Sequence, residues 1–181
     1  MFHRTQNLLL RPAWPEDAHS LFAAINDWDI VRQLASAPWP YTLDDANAFI
    51  SRAPIPSSPQ FILWLPNTGL VGSAGIGMDD ETGQLQLGYW IARPYRGRGF
   101  ATEATCALVD IARGLRHPRI TASHFIDNPA SGRVLTKAGF APSGIVRPGY
   151  SRARGCSAPT VHYELSLREG VRPKSRIPLA A

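Results

Sequence analysis

A strand that runs into a helix through alternating glycines and arginines is the feature that most constrains the fold. The segment from Gly88 to Ala112 reads GYWIARPYRGRGFATEATCALVDIA. Its apolar run ends at Ala92, and an Ala-rich pattern of helical period follows the connection. Gly97 and Gly99 stand where the backbone must turn sharply and approach another group closely, which a residue without a Cβ permits. The pattern therefore predicts a helix whose first turn lies beside the end of a strand.

Two interpretations of this connection stay open from these residues alone. In the first, the free N–H groups of residues 100–102 bind an anion at the helix start, with positive charge from Arg96 and Arg98 and a hydroxyl from Thr102. In the second, the glycines serve only a tight turn and the arginines are solvated. The segment is neither a Gly-Lys-Ser/Thr phosphate loop nor a G-x-G-x-x-G dinucleotide motif.

The rest of the sequence predicts one mixed α/β unit. Three apolar runs between residues 60 and 92 are joined by short turns, which is typical of an antiparallel meander. Helical patterns accompany Pro15, a residue favoured in a first turn, and Thr42 and Asn128, which are favourable N-caps. The remaining predicted elements are strands at 7–13, 119–126 and 159–167 and a short helix at 31–36.

Length and composition set the class of protein. The chain has 181 residues, of which 44% are apolar and 18% charged, as in ordinary globular proteins. We therefore expect one domain at residues 1–168 and a flexible tail at the Pro-rich residues 169–181. No apolar run approaches the roughly 20 residues that span a bilayer, and no signal peptide is recognisable.

Cysteine usage and charge narrow the compartment and the partners. Cys106 and Cys156 are too few for a disulfide framework and show no metal-ligand spacing, which predicts a cytoplasmic protein without a metal. The net charge of +5 and the pI of about 9.7 suit either nucleic acid or a polyanionic cofactor held by a few arginines. Because the cations are scattered rather than gathered along one helix, we expect no nucleic acid and no membrane partner.

Two motifs resemble the GNAT superfamily of N-acetyltransferases. The run RGRGFA is similar to its Arg/Gln-x-x-Gly-x-Gly/Ala signature, with Arg96, Gly99 and Ala101 at the defining positions. The run DNPASGRVLTKAGF resembles the second signature, an Asn-x-x-Ala/Ser helix that ends in Lys-x-Gly-Phe. The opening LLLRPAWPEDAHSLF, the PWPY loop and LGYWIARPYRGRGFATEA together resemble the branch that acetylates the N-termini of ribosomal proteins. The resemblance runs from about Leu8 to Leu167.

The resemblance implies a fold and a cofactor. The fold is a mixed α/β, mostly antiparallel sheet of about six or seven strands flanked by about four helices, with two parallel central strands that splay apart. Acetyl-CoA would enter that cleft, with its pyrophosphate on the N–H groups of residues 98–102 and its pantetheine arm along residues 90–92. The residues assigned to the cofactor in this way are Trp90, Ile91, Ala92, Arg96, Gly97, Arg98, Gly99, Phe100, Ala101, Thr102, Asn128, Ser131, Arg133 and Lys137.

The same resemblance implies direct attack of an amine on the thioester. Many superfamily members use a Tyr, two residues before the lysine of the second motif, to protonate the leaving thiolate. This chain has Leu135 there, which leaves Ser131 as the closest hydroxyl. His124 and Glu103 are candidate bases, although a strand histidine is more often a core residue and Glu103 also suits a brace for the helix start.

The acceptor is less constrained than the cofactor. Trp28, Trp39 and Tyr41 are candidates for the acceptor wall, or else for the packing of a lid. Peptide N-terminal amines and small-molecule amines both stay open, as do a monomer and a homodimer. A non-catalytic acyl-CoA-binding sensor, which would keep the phosphate site and lose the acceptor pocket, is the alternative function.

Overall fold

A computed structural model describes residues 1–79 and 82–168, and the proposed tail at 169–181 lies outside the described residues. The described strands are β1 (His3–Arg4), β2 (Leu9–Arg11), β3 (Gln60–Leu65), β4 (Gly69–Met78), β5 (Leu85–Ile91), β6 (Arg119–Phe125), β7 (Ala141–Ser151) and β8 (Cys156–Ser166). The described α-helices are α1 (Ala18–Ile25), α2 (Trp28–Val31), α3 (Leu43–Ile50), α4 (Phe100–Gly114) and α5 (Pro129–Lys137).

The strands form one sheet in the order β1-β2-β3-β4-β5-β6-β8-β7. Among the described strands only β5 and β6 pair in parallel, and their register covers just Gln86 with Thr121 and Leu87 with Ala122. Beyond this point the two strands separate, although β5 stays paired with β4 and β6 with β8. The mixed, mostly antiparallel and splayed sheet expected from the sequence is therefore confirmed.

The element counts differ from the expectation in two places. The sheet has eight described strands rather than about six or seven, because the short strand β1 pairs with β2 ahead of the predicted first strand. There are five described α-helices rather than about four. The predicted short helix at 31–36 is wrong in position, since α2 begins after Asp27, whose carboxylate accepts the Asp29 N–H at 2.8 Å.

Local sequence explains where α3 and α5 begin. Thr42 and Asp45 form a capping box, in which the Thr42 hydroxyl accepts the Asp45 N–H at 3.1 Å and the Asp45 carboxylate accepts the Thr42 N–H at 2.9 Å. Asn128 caps α5 by accepting the Ser131 N–H at 3.3 Å, and Pro129 takes the first helical position. The two N-caps expected from the sequence are confirmed.

Each face of the sheet has its own apolar cluster. On one face, here the α4 face, side chains of the sheet pack with α4 and with residues of α5 such as Leu135. On the other, the α1 face, residues such as Ile62 and Leu70 pack with α1, α2 and α3. In the part of the chain described by the structure, no helix is long and apolar enough to cross a bilayer. Burial on both faces makes the sheet the rigid element that holds the cleft.

A buried ion pair joins β2 to the start of α1. The guanidinium of Arg11 donates from both terminal nitrogens to the carboxylate of Asp17, at 2.7 Å each, and the two side chains are only 4% and 6% exposed. The guanidinium also lies over the rings of Trp14, at 3.9 Å, and Trp64, at 4.7 Å. Bidentate pairing and aromatic contact together compensate the loss of water around Arg11.

We expect Asp17→Asn to lower the free energy of unfolding by about 3 kcal/mol, because it leaves a buried guanidinium without its counter-charge. Burial alone would raise the pKa of Asp17, but the hydrogen bonds from Arg11 and Trp14 outweigh it and hold the pKa below its usual range. The pair's stability is therefore present above about pH 4 and is lost as the pH falls through the folded-state pKa. Urea titration at neutral and acidic pH measures both effects.

Asp110→Asn is the matched control, because Asp110 pairs with Arg113 at 3.0 Å on the exposed surface of α4. We expect a change within about 0.5 kcal/mol for that variant. Equal losses for the two variants would contradict the assignment of a buried, energetically important pair to Arg11 and Asp17.

Candidate active site

The splayed strands open a cleft of about 1060 Å³ that passes from one face of the sheet to the other. Its walls are the free edges of β5 and β6, the start of α4, and α5. On the α1 face it is bordered by the segment that follows α2 and by the β7–β8 hairpin. A cavity between two strands offers unpaired backbone groups as well as side chains to a ligand.

Backbone groups of β5 point into the cleft at alternate residues. The Ala92 N–H donates to the carbonyl oxygen of Val71 at 2.9 Å, and the Ala92 carbonyl accepts the Tyr95 N–H. Ala92 and, by alternation, Trp90 therefore turn their backbone groups toward β4, whereas Tyr89 and Ile91 turn theirs toward the cleft. Of residues 90–92, Ile91 alone turns its backbone groups toward the cleft, and its carbonyl oxygen there accepts a hydrogen bond from Arg96.

The glycine connection forms a row of unengaged donors. Gly97 and Gly99 have φ values of +76° and +86°, a region that glycine enters without steric cost. Gly99 precedes α4, and its carbonyl accepts the Glu103 N–H at 3.0 Å. Within the described residues, none of the N–H groups of residues 97–102 donates to a protein acceptor. Several N–H groups that converge at a helix start are the physical requirement for an anion site.

The two arginines of this connection behave differently. The Nε of Arg96 donates to the carbonyl oxygen of Ile91 at 3.2 Å, which places the Arg96 side chain across the end of β5. Arg98 instead lies over the ring of Phe100 at 5.0 Å and does not line the cleft. The other residues of this loop that were assigned to the cofactor and that line the cleft are Gly97, Gly99, Phe100, Ala101 and Thr102.

Helix α5 forms the opposite wall. The Oδ1 of Asn128 caps the helix, while its amide N–H groups and the hydroxyl of Ser131 have no hydrogen bond to the protein among the described residues. Arg133 and Lys137 are exposed, line the cleft one helical turn apart, and have no ion pair within the described chain. Each interpretation of Asn128 is therefore half right, since it caps the helix and still offers donors to a ligand.

Tyr89 supplies a hydroxyl that the sequence reasoning missed. Its side chain lies on the α4 face, and its hydroxyl donates to the carbonyl oxygen of Ser131 at 3.4 Å. Burial raises the pKa of Tyr89 to about 12, so its proton is retained at neutral pH. Leu135, at the position of the usual tyrosine, is fully buried in the core. The tyrosine of the GYW run was the available signal, because strand alternation places it beside the glycine connection.

Of the two expected bases, Glu103 lies outside the cleft and His124 lies on the α4 face. The carboxylate of Glu103 accepts hydrogen bonds from the N–H of Asn7 at 2.7 Å and its Nδ2 at 2.9 Å, and from the hydroxyl of Thr5. Burial would raise the pKa of Glu103, but these bonds outweigh it and lower the pKa. Glu103 thus fastens the N-terminal segment to α4, which corrects its expectation as a base.

His124 lines the cleft but is held by its neighbours. Its Nδ1 must donate to the carbonyl oxygen of Phe125, at 2.9 Å, because a carbonyl only accepts. Its Nε2 is 3.5 Å from the hydroxyl of Tyr163, which belongs to the apolar cluster of the α4 face. A Cβ on Gly132 would approach both groups to 2.8 Å, so α5 covers them closely.

The three expected acceptor residues do not line the cleft. Trp28 and Trp39 pack edge to face against each other, with ring centroids 5.6 Å apart, and both are partly exposed. Tyr41 is buried in the cluster of the α1 face, where burial raises its pKa to about 12. Their assignment to the acceptor stays a prediction, since the part of the same segment that lines the cleft is the run 32–36, directly after α2.

A cluster of charges instead borders the cleft, and we call it the mouth cluster. Arg93, after β5, contacts Asp27 at 2.7 Å and Asp29 at 2.8 Å. Arg32 contacts Asp29 at 3.2 Å and also Asp127, which follows β6, at 2.7 Å. Asp127 also pairs with Arg154 of the β7–β8 turn, at 2.9 Å. The members of the cluster are Asp27, Asp29, Arg32, Arg93, Asp127 and Arg154.

One further side chain reaches the cleft without having been predicted. His162 of β8 lines it on the α1 face, because β8 places successive side chains on opposite faces and Tyr163 lies on the α4 face. No signal in the sequence marks His162, since its approach to the cleft depends on the register between β6 and β8. Among the described residues, no group of three or more His, Cys, Asp or Glu side chains is arranged to hold a metal.

Comparisons with known proteins agree with this geometry. Residues 7–141 match the family model of the acetyltransferase (GNAT) domain. A relative from Bacillus licheniformis, the uncharacterized N-acetyltransferase p20, is 32% identical over 102 residues, a match that covers 55% of this chain and 57% of that protein.

Solved structures share the fold. An acetyltransferase of the GNAT family from Bacillus anthracis superimposes with a TM-score of 0.79 at 20% identity, over 93% of this chain and 100% of that one. The ribosomal L7/L12 alpha-N-protein acetyltransferase RimL, in complex with coenzyme A, gives 0.74 at 16% identity, over 92% and 98% of the two chains. The sequence-based assignment is confirmed: this chain belongs to the GNAT family of acetyltransferases, enzymes whose acetyl donor is acetyl-CoA.

Proposed function

We propose that this protein transfers the acetyl group of acetyl-CoA to a primary amine by direct attack within a ternary complex. The acceptor is a peptide N-terminal amine or a small-molecule amine. The observation that carries the proposal is the pair of unpaired strand edges beside the row of free N–H groups at the start of α4. RimL, which shares the fold, is a ribosomal L7/L12 alpha-N-protein acetyltransferase, and this supports the peptide acceptor.

The cofactor would run along the α4 wall of the cleft. Its pyrophosphate would accept hydrogen bonds from the N–H groups of residues 97–102, with the positive end of the α4 dipole behind them. The pantetheine amides would pair with the cleft-facing backbone groups of Tyr89 and with the N–H of Ile91, whose carbonyl oxygen already accepts from Arg96, as an added strand would. Arg133 and Lys137 would meet the remaining phosphate charge, because no acidic residue among those described pairs with them.

The chemical step needs a polarised carbonyl and a leaving thiolate. A cleft-facing N–H of β5, from Tyr89 or Ile91, would stabilise the oxyanion of the tetrahedral intermediate. The hydroxyl of Ser131 would donate a proton toward the thiolate, since it lines the cleft and has no hydrogen bond to the described protein. Asn128 would hold the arm from the same wall through its free amide N–H groups.

An open acceptor side favours an enzyme over a sensor. The cleft continues past the strand edges to the α1 face, where polar side chains such as Gln86 and Ser123 line it. A protein that only bound acyl-CoA would have no use for this second opening. We therefore favour an enzyme, and the experiment below also distinguishes it from a non-catalytic acyl-CoA sensor.

We also propose that residues 1–168 act as one domain, as a monomer or homodimer in the cytoplasm and without nucleic acid. Cys106 and Cys156 are both exposed and free, as expected in a reducing compartment. Arginines of the mouth cluster are paired with carboxylates rather than presented to a phosphate backbone.

Release of free CoA thiol tests the function. We expect thiol release from acetyl-CoA in the presence of peptides beginning with Ser, Ala or Asp, or of small primary amines, and no more than slow release without an acceptor. Mass spectrometry of the acceptor should show the added acetyl group. Tight acetyl-CoA binding by calorimetry without thiol release for any acceptor would favour the sensor instead.

A substitution at Gly99 separates the anion site from a simple turn. We expect Gly99→Val to abolish acetyl-CoA binding while the protein still unfolds cooperatively. The added Cβ meets no protein atom within 4 Å, so it occupies the open space beside the N–H groups. The positive φ adds a cost of about 1–2 kcal/mol to folding. Calorimetric titration and a thermal melt measure the two effects.

Gly144→Val is the matched control, because Gly144 also has a positive φ, of +75°, and open space, but lies outside the cleft. It should lose similar stability and bind acetyl-CoA normally. Arg98→Ala should weaken binding only modestly, since the backbone donors remain. Wild-type affinity in a folded Gly99→Val variant would contradict the anion site and indicate that these glycines form only a tight turn.

Two variants of α5 separate positioning from chemistry. We expect Ser131→Ala to lower kcat by about 100-fold with little change in acetyl-CoA affinity, because a general acid contributes in the transition state. Asn128→Ala should weaken both binding and turnover by about tenfold, because a donor to the arm and an N-cap are lost together. If Ser131→Ala is fully active, its hydroxyl has no part in the reaction and the thiolate leaves unassisted.

A further inference from the structure

An acetyl transfer to an amine needs a base on the side of the cleft from which the acceptor enters. The α4 face carries the glycine connection and α5, and it would be filled by the cofactor. The acceptor would therefore approach from the α1 face. Of the two bases expected from the sequence, Glu103 is outside the cleft and His124 is on the α4 face. Neither of these two residues supplies a base on the acceptor side.

We propose that His162 is the catalytic base, which takes a proton from the ammonium group of the acceptor. This inference rests on the proposed function and deepens it by naming a residue for its proton transfer. The first support for this proposal is the strand register. His162 lies opposite Ser123 of β6, so the two side chains share the α1 face, one strand away from the gap.

The position of His162 along its strand is also suitable. Ser123 follows Ala122, which forms the last parallel pair with Leu87 before the strands separate. The Nε2 of Gln86 donates to the Ser123 hydroxyl at 3.3 Å, so Gln86 and Ser123 line the same side of the gap as His162. An amine that reached the thioester between β5 and β6 would pass this group of side chains.

The imidazole of His162 has a hydrogen-bond partner in either protonation state. The Nε of Arg147 is 3.2 Å from the Nε2 of His162 and can only donate, so it matches an unprotonated Nε2. The hydroxyl of Thr160 donates to the Arg147 carbonyl at 2.8 Å. Because its proton is used there, the Thr160 oxygen can accept from the Nε2 of His162, which is 3.0 Å away. A protonated Nε2 would therefore donate to Thr160. Protonation of Nε2 therefore exchanges the hydrogen bond from Arg147 for one to Thr160, so this nitrogen has a partner before and after the proton transfer.

The charges around the ring favour its neutral form. Burial and the cation of Arg147 lower the pKa of His162, and Asp79 opposes them from the end of β4. Glu164, two residues along β8, is exposed. A histidine with a lowered pKa is largely neutral at pH 7 and is ready to accept a proton.

The proton and bond changes balance without another reactant. The acceptor ammonium gives one proton to His162, and the neutral amine attacks the thioester carbon to form the C–N bond. The C–S bond breaks as the tetrahedral intermediate collapses, and the second nitrogen proton is lost as the thiolate is protonated. The imidazolium then returns its proton to solvent, so the products are the acetylated amine, CoA thiol and one proton.

His162→Gln tests the proposal, because glutamine keeps a polar side chain and cannot take the proton. With the amine that gives the fastest thiol release in the screen, we expect kcat to fall by about 100-fold or more. The wild-type kcat/KM should decline below the pKa of a single base, and this acidic limb should vanish in the variant. Acetyl-CoA affinity and the thermal melt should stay close to those of the wild type.

Arg147→Gln and His124→Gln complete the design. Removal of the Arg147 cation should raise the pKa of His162, so the acidic limb of kcat/KM should move to higher pH. An unmoved limb would overturn the proposal, as would loss of the limb in His124→Gln with its retention in His162→Gln. A merely structural His162 would leave the limb in place and lower kcat alone.

An NMR titration of the histidine rings needs no acceptor. We expect the His162 signal, assigned by its disappearance in His162→Gln, to titrate below pH 6.5 in the wild type and at higher pH in Arg147→Gln. A wild-type ring pKa of 6.5 or above would overturn the proposal. If no amine releases thiol, the proposed function fails in the screen, while this titration still decides the state of His162.

Discussion

The early end of hydrogen bonding between β5 and β6 is the constraint on which the site depends. Both strands keep their outer partners to the end, since Ile91 pairs with Gly72 of β4 and Phe125 with Thr160 of β8. The separation therefore exposes only the inner edges of the two strands, and the sheet remains continuous on either side. Unpaired edges are costly when buried, but here they face an open cleft, where a ligand can pair with them as a strand would.

The mouth cluster explains how the two strand ends are held in place across this gap. Arg93 follows β5 and Asp127 follows β6, and the segment around α2 contacts both through Asp29 and Arg32. Single exposed ion pairs stabilise proteins little, but a network that shares charges fixes the distance between its members more firmly. We infer that α2 helps to set the distance between the walls of the cleft, which its residues Asp29 and Ile30 also line.

Local features of the site were predictable from the sequence, and features that depend on register were not. The glycine connection and the cap at Asn128 are encoded by residues within a few positions of each other, and backbone stereochemistry is enough to predict them. Glu103 has the same local sequence context whether it faces the cleft or the N-terminal segment, and a contact with Asn7 decides between them. His162 gains its place from pairing with Ser123 across two strands. A single sequence carries no sign of that register.

The same contrast applies to the three residues expected at the acceptor wall. Trp28, Trp39 and Tyr41 are close in sequence to a proline-rich loop, and large aromatic residues there suit either a binding wall or packing. The structure uses them for packing, with Tyr41 buried and the two tryptophans against each other. Tyr41 loses its aromatic surface to the core, whereas the two tryptophans stay 41% and 44% exposed, so residue type alone does not separate packing from binding at these positions.

The two openings of the cleft assign separate duties to the two faces of the sheet. Groups suited to bind an anion lie on the α4 face, where the start of α4 supplies N–H donors that have no acceptor within the described protein. A base for the acceptor amine is then better placed on the other face, because near the pyrophosphate the negative charge would stabilise its protonated form. On the α1 face, burial and the cation of Arg147 lower the pKa of His162 against the opposing effect of Asp79, and so favour its neutral form. The division between a face that attracts negative charge and a face that holds a neutral base follows from the same gap between β5 and β6.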